Sequence, residues 1–90
     1  MKIIFLILIL TITLSASAEI LIPMDQTQSN HLKAYGIAFT ALQKQITVKW
    51  LLNYRGGSYL IPDIQEIEGL CNIRGVDYEK ITSVEFASIL

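Results

Sequence analysis

Residues 19–31, Glu-Ile-Leu-Ile-Pro-Met-Asp-Gln-Thr-Gln-Ser-Asn-His, constrain this chain more than any other stretch: an apolar strand, a proline that stops it, a polar turn and the opening of a helix. Pro23 has no backbone N–H to give to a sheet, so the extended run Ile20-Leu21-Ile22 ends there. Three consecutive apolar residues call for cover on both faces of that sheet. From Asn30 to Gln45 the larger apolar residues Leu32, Tyr35, Phe39, Leu42 and, just beyond, Ile46 recur at spacings of three and four. That period predicts an amphipathic helix with these residues inward and Lys33, Gln43 and Lys44 toward water. Thr27 or Ser29 is its expected N-cap, and Gly36 in its interior implies a close approach to the sheet.

Thr47-Val-Lys-Trp-Leu-Leu52, rich in β-branched and aromatic residues, reads as a second strand. Asn53-Tyr-Arg-Gly-Gly57 breaks it, and Ser58 to Ile61 forms a short third strand. The adjacent glycines permit positive φ, which leaves open whether the two strands pair as a hairpin. Asp63 and Glu66 have the spacing of a capping box, Ile64, Ile67, Leu70 and Cys71 share one face of the helix that follows, and Gly75 is placed to end it. Val76 to Ile81 is a further strand, and Thr82-Ser-Val-Glu85 repeats the capping signature before Phe86, Ile89 and Leu90. This order of elements predicts the N-terminal half of a doubly wound, mostly parallel α/β sheet of the Rossmann or flavodoxin kind, with right-handed crossovers. Its two crossover helices cover one face, so the second face is expected to be open. The rest of a longer, here truncated, chain or a partner protein would cover it.

Residues 1–18 stand apart from that fold. Lys2, an apolar run from Ile3 to Leu14 and the small-residue signal Ala16-Ser17-Ala18 make a secretory leader cut between Ala18 and Glu19. The run is well short of the ~20 residues that span a bilayer. No cysteine follows the cut to take a lipid, so the product is expected free of the membrane, in the periplasm or outside the cell. The leader takes Lys2 with it, so the seven Lys and Arg fall to six against eight Asp and Glu, a net charge of −2. That balance excludes the basic footprint of a nucleic-acid binder. Cys71 is the single cysteine, so residues 19–90 form one small domain held by its core, with no internal disulfide.

Ligands of open α/β sheets collect at the carboxyl ends of strands, against helix N-termini. The candidate site is therefore Asp25, Gln26, Thr27, Gln28, Asn30 and His31 after the first strand, with Asn53, Arg55, Gly56 and Gly57 after the second. Amides and hydroxyl would hold a small polar ligand, His31 or Asp25 would move protons, and Arg55 would clamp a carboxylate or phosphate. The same residues also read as turn and cap residues beside a solvated arginine. Cys71, on the apolar face between Leu70 and Ile73, reads as a structural thiol. Phe39 and Trp50 read as core. No Cys/His cluster has metal spacing, and neither G-x-G-x-x-G nor a Walker loop occurs, so no metal or cofactor is expected.

The run Ile20 to Ala38, followed by Trp50-Leu-Leu-Asn-Tyr-Arg-Gly-Gly-Ser58 and Ile73-Arg-Gly-Val76, resembles an exported bacterial family whose members carry the name asparagine synthetase B. The resemblance covers nearly all of residues 19–90. It implies a longer protein of amidotransferase-like layout doing amide or acyl chemistry, with its nucleophile beyond residue 90. No catalytic residue of the glutamine-hydrolysing synthetases carries over: Lys2 stands where they have cysteine, and their S-G-G-x-D-S loop does not occur. Two functions thus stay open, an enzyme fragment whose polar edge lines a cleft, or a non-catalytic envelope module that binds a polar ligand, glycan or protein.

Overall fold

The computed structural model describes residues 18–89. Four strands and three helices follow one another as β1 (Ala18–Ile22), α1 (His31–Gln43), β2 (Lys49–Leu51), β3 (Ser58–Pro62), α2 (Gln65–Arg74), β4 (Glu79–Thr82) and α3 (Ser83–Ile89). The sheet order is β2-β3-β1-β4, and every neighbouring pair is antiparallel. The expectation of a doubly wound, Rossmann-like parallel sheet is therefore corrected. The first six elements form the split β-α-β arrangement of ferredoxin-like folds, with α3 appended.

The difference originates in the loop after β2. Arg55, Gly56 and Gly57 all have positive φ, at 46°, 78° and 93°. These left-handed residues turn the chain back on itself, so that Leu51 pairs with Ser58 and Lys49 with Leu60. The returning strand then lies along β1, with Ile20 opposite Ile61 and Ile22 opposite Tyr59. With β3 in that place, the connections from β1 to β2 and from β3 to β4 must each skip a strand.

Both faces of the sheet are covered, as the apolar run in β1 requires. Ile20, Ile22 and Ile61 meet Ala34, Ile37 and Ala41 of α1 and Ile67 and Cys71 of α2. Leu21, Leu60 and Ile81 point the other way, where Phe86 and Ile89 of α3 pack on them. The expected open second face is thus corrected: a seven-residue helix within this chain lies on it.

Helix α1 is rotated from its expected orientation. It buries Ala34, Ile37, Ala38 and Ala41, while Leu32, Tyr35, Phe39 and Leu42 are 80%, 56%, 62% and 58% exposed. Both stripes have helical spacing, so periodicity alone does not choose between them; the alanine stripe lets the helix axis come closer to the sheet. Gly36 faces α2 rather than the sheet, and a Cβ there would meet the Arg74 guanidinium at an ordinary 3.8 Å.

The helix ends differ in part from the expected ones. Asn30, not Thr27 or Ser29, caps α1, its side chain accepting from the Lys33 N–H at 3.2 Å. The capping box at Asp63 does not form: α2 begins at Gln65 with no side-chain cap, and Asp63 pairs instead with Lys80 at 3.5 Å. Gly75 does end α2 in the left-handed conformation. Thr82 and Glu85 do cap α3 reciprocally, the Glu85 N–H donating to Thr82 Oγ1 at 3.2 Å and the Thr82 N–H to Glu85 Oε1 at 3.3 Å. The leader lies outside the described residues except for Ala18, which pairs with Thr82 and accepts from the Asp63 N–H. No described helix is long and apolar enough to cross a membrane.

Candidate functional site

Antiparallel pairing brings three connections to one end of the sheet. The end of β1 lies beside the start of β3, Ile22 opposite Tyr59, and beside the start of β4, Leu21 opposite Glu79. The hairpin turn therefore reaches the first loop even though β1 and β2 are not neighbours. The Met24 N–H donates to the Arg55 carbonyl at 3.1 Å. Gly56 crosses so close to this loop that a Cβ would stand 2.8 Å from the Met24 carbonyl oxygen.

Arg55 ties the connections together. Its Nε donates to Asp25 Oδ2 at 3.1 Å, its Nη2 to Thr27 Oγ1 at 2.9 Å, and its Nη1 to Glu79 Oε2. Asp25 also accepts the Thr27 hydroxyl at 2.5 Å and the Thr27 N–H at 3.1 Å. The Thr27 hydroxyl first, with the Thr27 N–H and Arg55 after it, holds the Asp25 carboxyl below its ordinary value against the opposing effect of desolvation. Glu79 first, then Asp25, push the Arg55 guanidinium up.

A second clasp lies beneath. Gln28 is buried, its Nε2 donating to the carbonyls of Pro23 and Asp77, both at 2.9 Å, and its Oε1 accepting the Asp77 N–H at 2.9 Å. The Ser29 N–H donates to Asp77 Oδ2 at 2.6 Å. Hydrogen bonding from Ser29, hydroxyl first and backbone N–H next, lowers the Asp77 carboxyl. His31 Nε2 lies 3.1 Å from the Met24 carbonyl and 2.9 Å from that of Asp25. Two carbonyl acceptors at one nitrogen place a proton on Nε2.

The structure thus brings Asp25, Thr27, His31, Arg55 and Gly56 together, with Asn30 beside them as a cap. Gly57 is buried behind the turn, where its carbonyl accepts the Trp50 indole N–H at 3.1 Å. Gln26 is exposed at the turn, and Asn53 lies apart, on a hollow of about 260 Å³ with Leu51, Leu52, Tyr54 and Ile89. Asp77 and Glu79 were not in the sequence-derived set. Asp77 arrives from the α2–β4 connection and Glu79 from the start of β4, and nothing in their local sequence signals that β4 lies beside β1.

Chemically this end is a latch. Two carboxylates, Asp25 and Glu79, hold one guanidinium whose Nε and both Nη atoms are already engaged. A ligand carboxylate or phosphate would have to displace an internal partner and enter a field of net negative charge. Among the described residues no three His, Cys, Asp or Glu side chains converge as metal ligands. Cys71 is fully buried, and burial, then the nearby Glu68, push its thiol up to about 11, which leaves no thiolate near neutrality.

A larger hollow than the one at Asn53 lies elsewhere and is apolar. It is a groove of about 460 Å³ between α1 and the β2–β3 hairpin, lined by Tyr35, Phe39, Leu42, Val48, Trp50 and Tyr59. Phe39 and Trp50 are 62% and 61% exposed, which corrects their expected place in the core. Tyr35 and Tyr59 meet edge to face, ring centroids 5.9 Å apart, and burial, with Tyr35, pushes the Tyr59 hydroxyl up. The Trp50 N–H is spent on Gly57, so the indole offers the groove an apolar face. No known protein family, characterised protein or solved structure matches the chain.

Proposed function

We propose that this chain is a non-catalytic protein-binding module of an exported protein, and that it binds through the aromatic groove between α1 and β2 rather than through the polar loop end. One observation carries the reading: α1 turns its largest apolar residues, Leu32, Tyr35, Phe39 and Leu42, to solvent beside an exposed Trp50. Exposed aromatic residues around a concavity are the usual anchors of protein interfaces. The loop end, by contrast, satisfies its own charges internally. The amide- or acyl-chemistry reading rests on the family resemblance of residues 20–38, 50–58 and 73–76 alone.

Site-specific photocrosslinking in the producing cells tests this. With p-benzoylphenylalanine in place of Phe39, a discrete protein adduct is expected. The same probe in place of Ile73, more exposed still but on α2 and outside the groove lining, should give none. Absence of an adduct at position 39, or equal adducts at both positions, would overturn the docking reading.

A further inference from the structure

We infer that the partner seated on the α1–β2 face is a second copy of this chain, joined across a two-fold axis so that the two β2 edges pair and the two α1 stripes pack together. The inference rests on the docking reading above and names its occupant.

The area is the first argument. Tyr35, Phe39 and Trp50, with Leu32 and Leu42, are each more than half exposed. Together they leave roughly 600 Å² of largely apolar surface in water, counting aromatic side chains at their usual size. Monomers seldom tolerate a contiguous apolar patch above about 600 Å², and one partner in a stable interface contributes about 800 Å². A two-fold uses this one patch twice, so each copy meets the need of the other.

The two sheet edges supply the second argument. β4 forms one edge and carries Glu79 and Lys80, charged residues that discourage strand addition. β2 forms the other, and its Lys49-Trp50-Leu51 carries a single charge. That charge is turned away from the groove: the Lys49 ammonium sits 4.8 Å from the Phe86 ring centroid, on the α3 side of the sheet. Among the described residues no strand pairs with the outer edge of β2. Antiparallel pairing of β2 with its copy would satisfy those backbone groups and extend the two sheets into one.

Charge is the third. The stripe itself carries no ionised group, and Lys44 at its end is paired with Glu66. Setting the stripe against its own copy therefore opposes no like charges at its centre.

Sedimentation equilibrium on the mature protein purified from its producing cells tests the inference. A dimer is expected, and Phe39→Asp should weaken association by at least about tenfold, whereas Ile73→Asp should leave it unchanged. Trp50, the only tryptophan, gives a readout that needs no variant: its emission should shift to shorter wavelength as concentration rises into the dimer range. A mass equal to one chain at all concentrations, with Trp50 emission constant, would overturn the inference. In that event a position-39 adduct with a different protein would still uphold the docking reading, and no adduct at all would overturn both.

Discussion

At Gly56 the chain has no room for a side chain. A φ of 78° and a would-be Cβ 2.8 Å from the Met24 carbonyl oxygen make Gly56→Ala doubly unfavourable. A loss of about 2–3 kcal/mol is expected from the urea midpoint. Gly69 offers the opposite case, inside α2 with nothing within 4 Å of the position a Cβ would take, so Gly69→Ala should gain up to about 1 kcal/mol. Cys71 makes a kinetic prediction. With its thiol pushed up to about 11 by burial, labelling by Ellman's reagent at pH 8 should be slow in buffer and fast in urea. Equal rates would mean that the α2 core opens freely. The sign at high pH follows: a raised thiol value contributes stability below its ordinary 9.0 and loses it as pH climbs toward 11. The glycine pair was legible in the sequence as a site of positive φ. That Arg55 would meet Asp25 was not, because nothing local says that β3 lies beside β1.

Among the elements, local signals located most boundaries and missed the pairings. Strand and helix order, the Gly75 stop and the Thr82–Glu85 cap follow from short-range rules that act over one turn. Parallel or antiparallel pairing does not, since β-α-β segments look alike whether the second strand lands next to the first or one place over. In α1 residue size does not mark burial, because the alanine stripe Ala34, Ala38 and Ala41 allows the closer approach. Asp63 failed as a cap because Lys80, on β4, draws its carboxylate. The connection between β1 and α1 depends on Gln28, whose buried amide satisfies three backbone groups of Pro23 and Asp77. Gln28→Ala strands those groups, at a cost of about 2–3 kcal/mol. The Asp77 amide should then exchange its hydrogen much faster in the variant than in the parent. Unchanged protection at Asp77 would show that the clasp is dispensable.

Among the described residues, charge and the exposed aromatic stripe are separate: Arg55 gathers Asp25 and Glu79 where the loops meet, and Tyr35, Phe39 and Trp50 take part in no ion pair. The two should answer to different variables. Asp25 and Asp77 sit below their ordinary 3.8 through Thr27 with Arg55 and through Ser29 respectively, and Glu68 sits below its 4.5 through Lys80 and then Tyr78. A carboxyl lowered by folding contributes stability above its ordinary value and loses it as pH falls through the lower folded one. The urea midpoint should therefore be flat from pH 7 to about pH 5 and drop below about pH 4. Asp77→Asn should lower the midpoint at pH 7 and flatten that acid limb. The drop should be modest, because these carboxylates lie at the surface and are screened by water and salt. Self-association through the α1–β2 face is driven by apolar burial, so it should hold or strengthen in 1 M sodium sulfate, which screens the latch. Sedimentation at low and high salt, run beside the pH series of urea midpoints, separates the two. Association that weakened in sulfate in step with the latch would mean that the loop end, not the aromatic stripe, makes the contact.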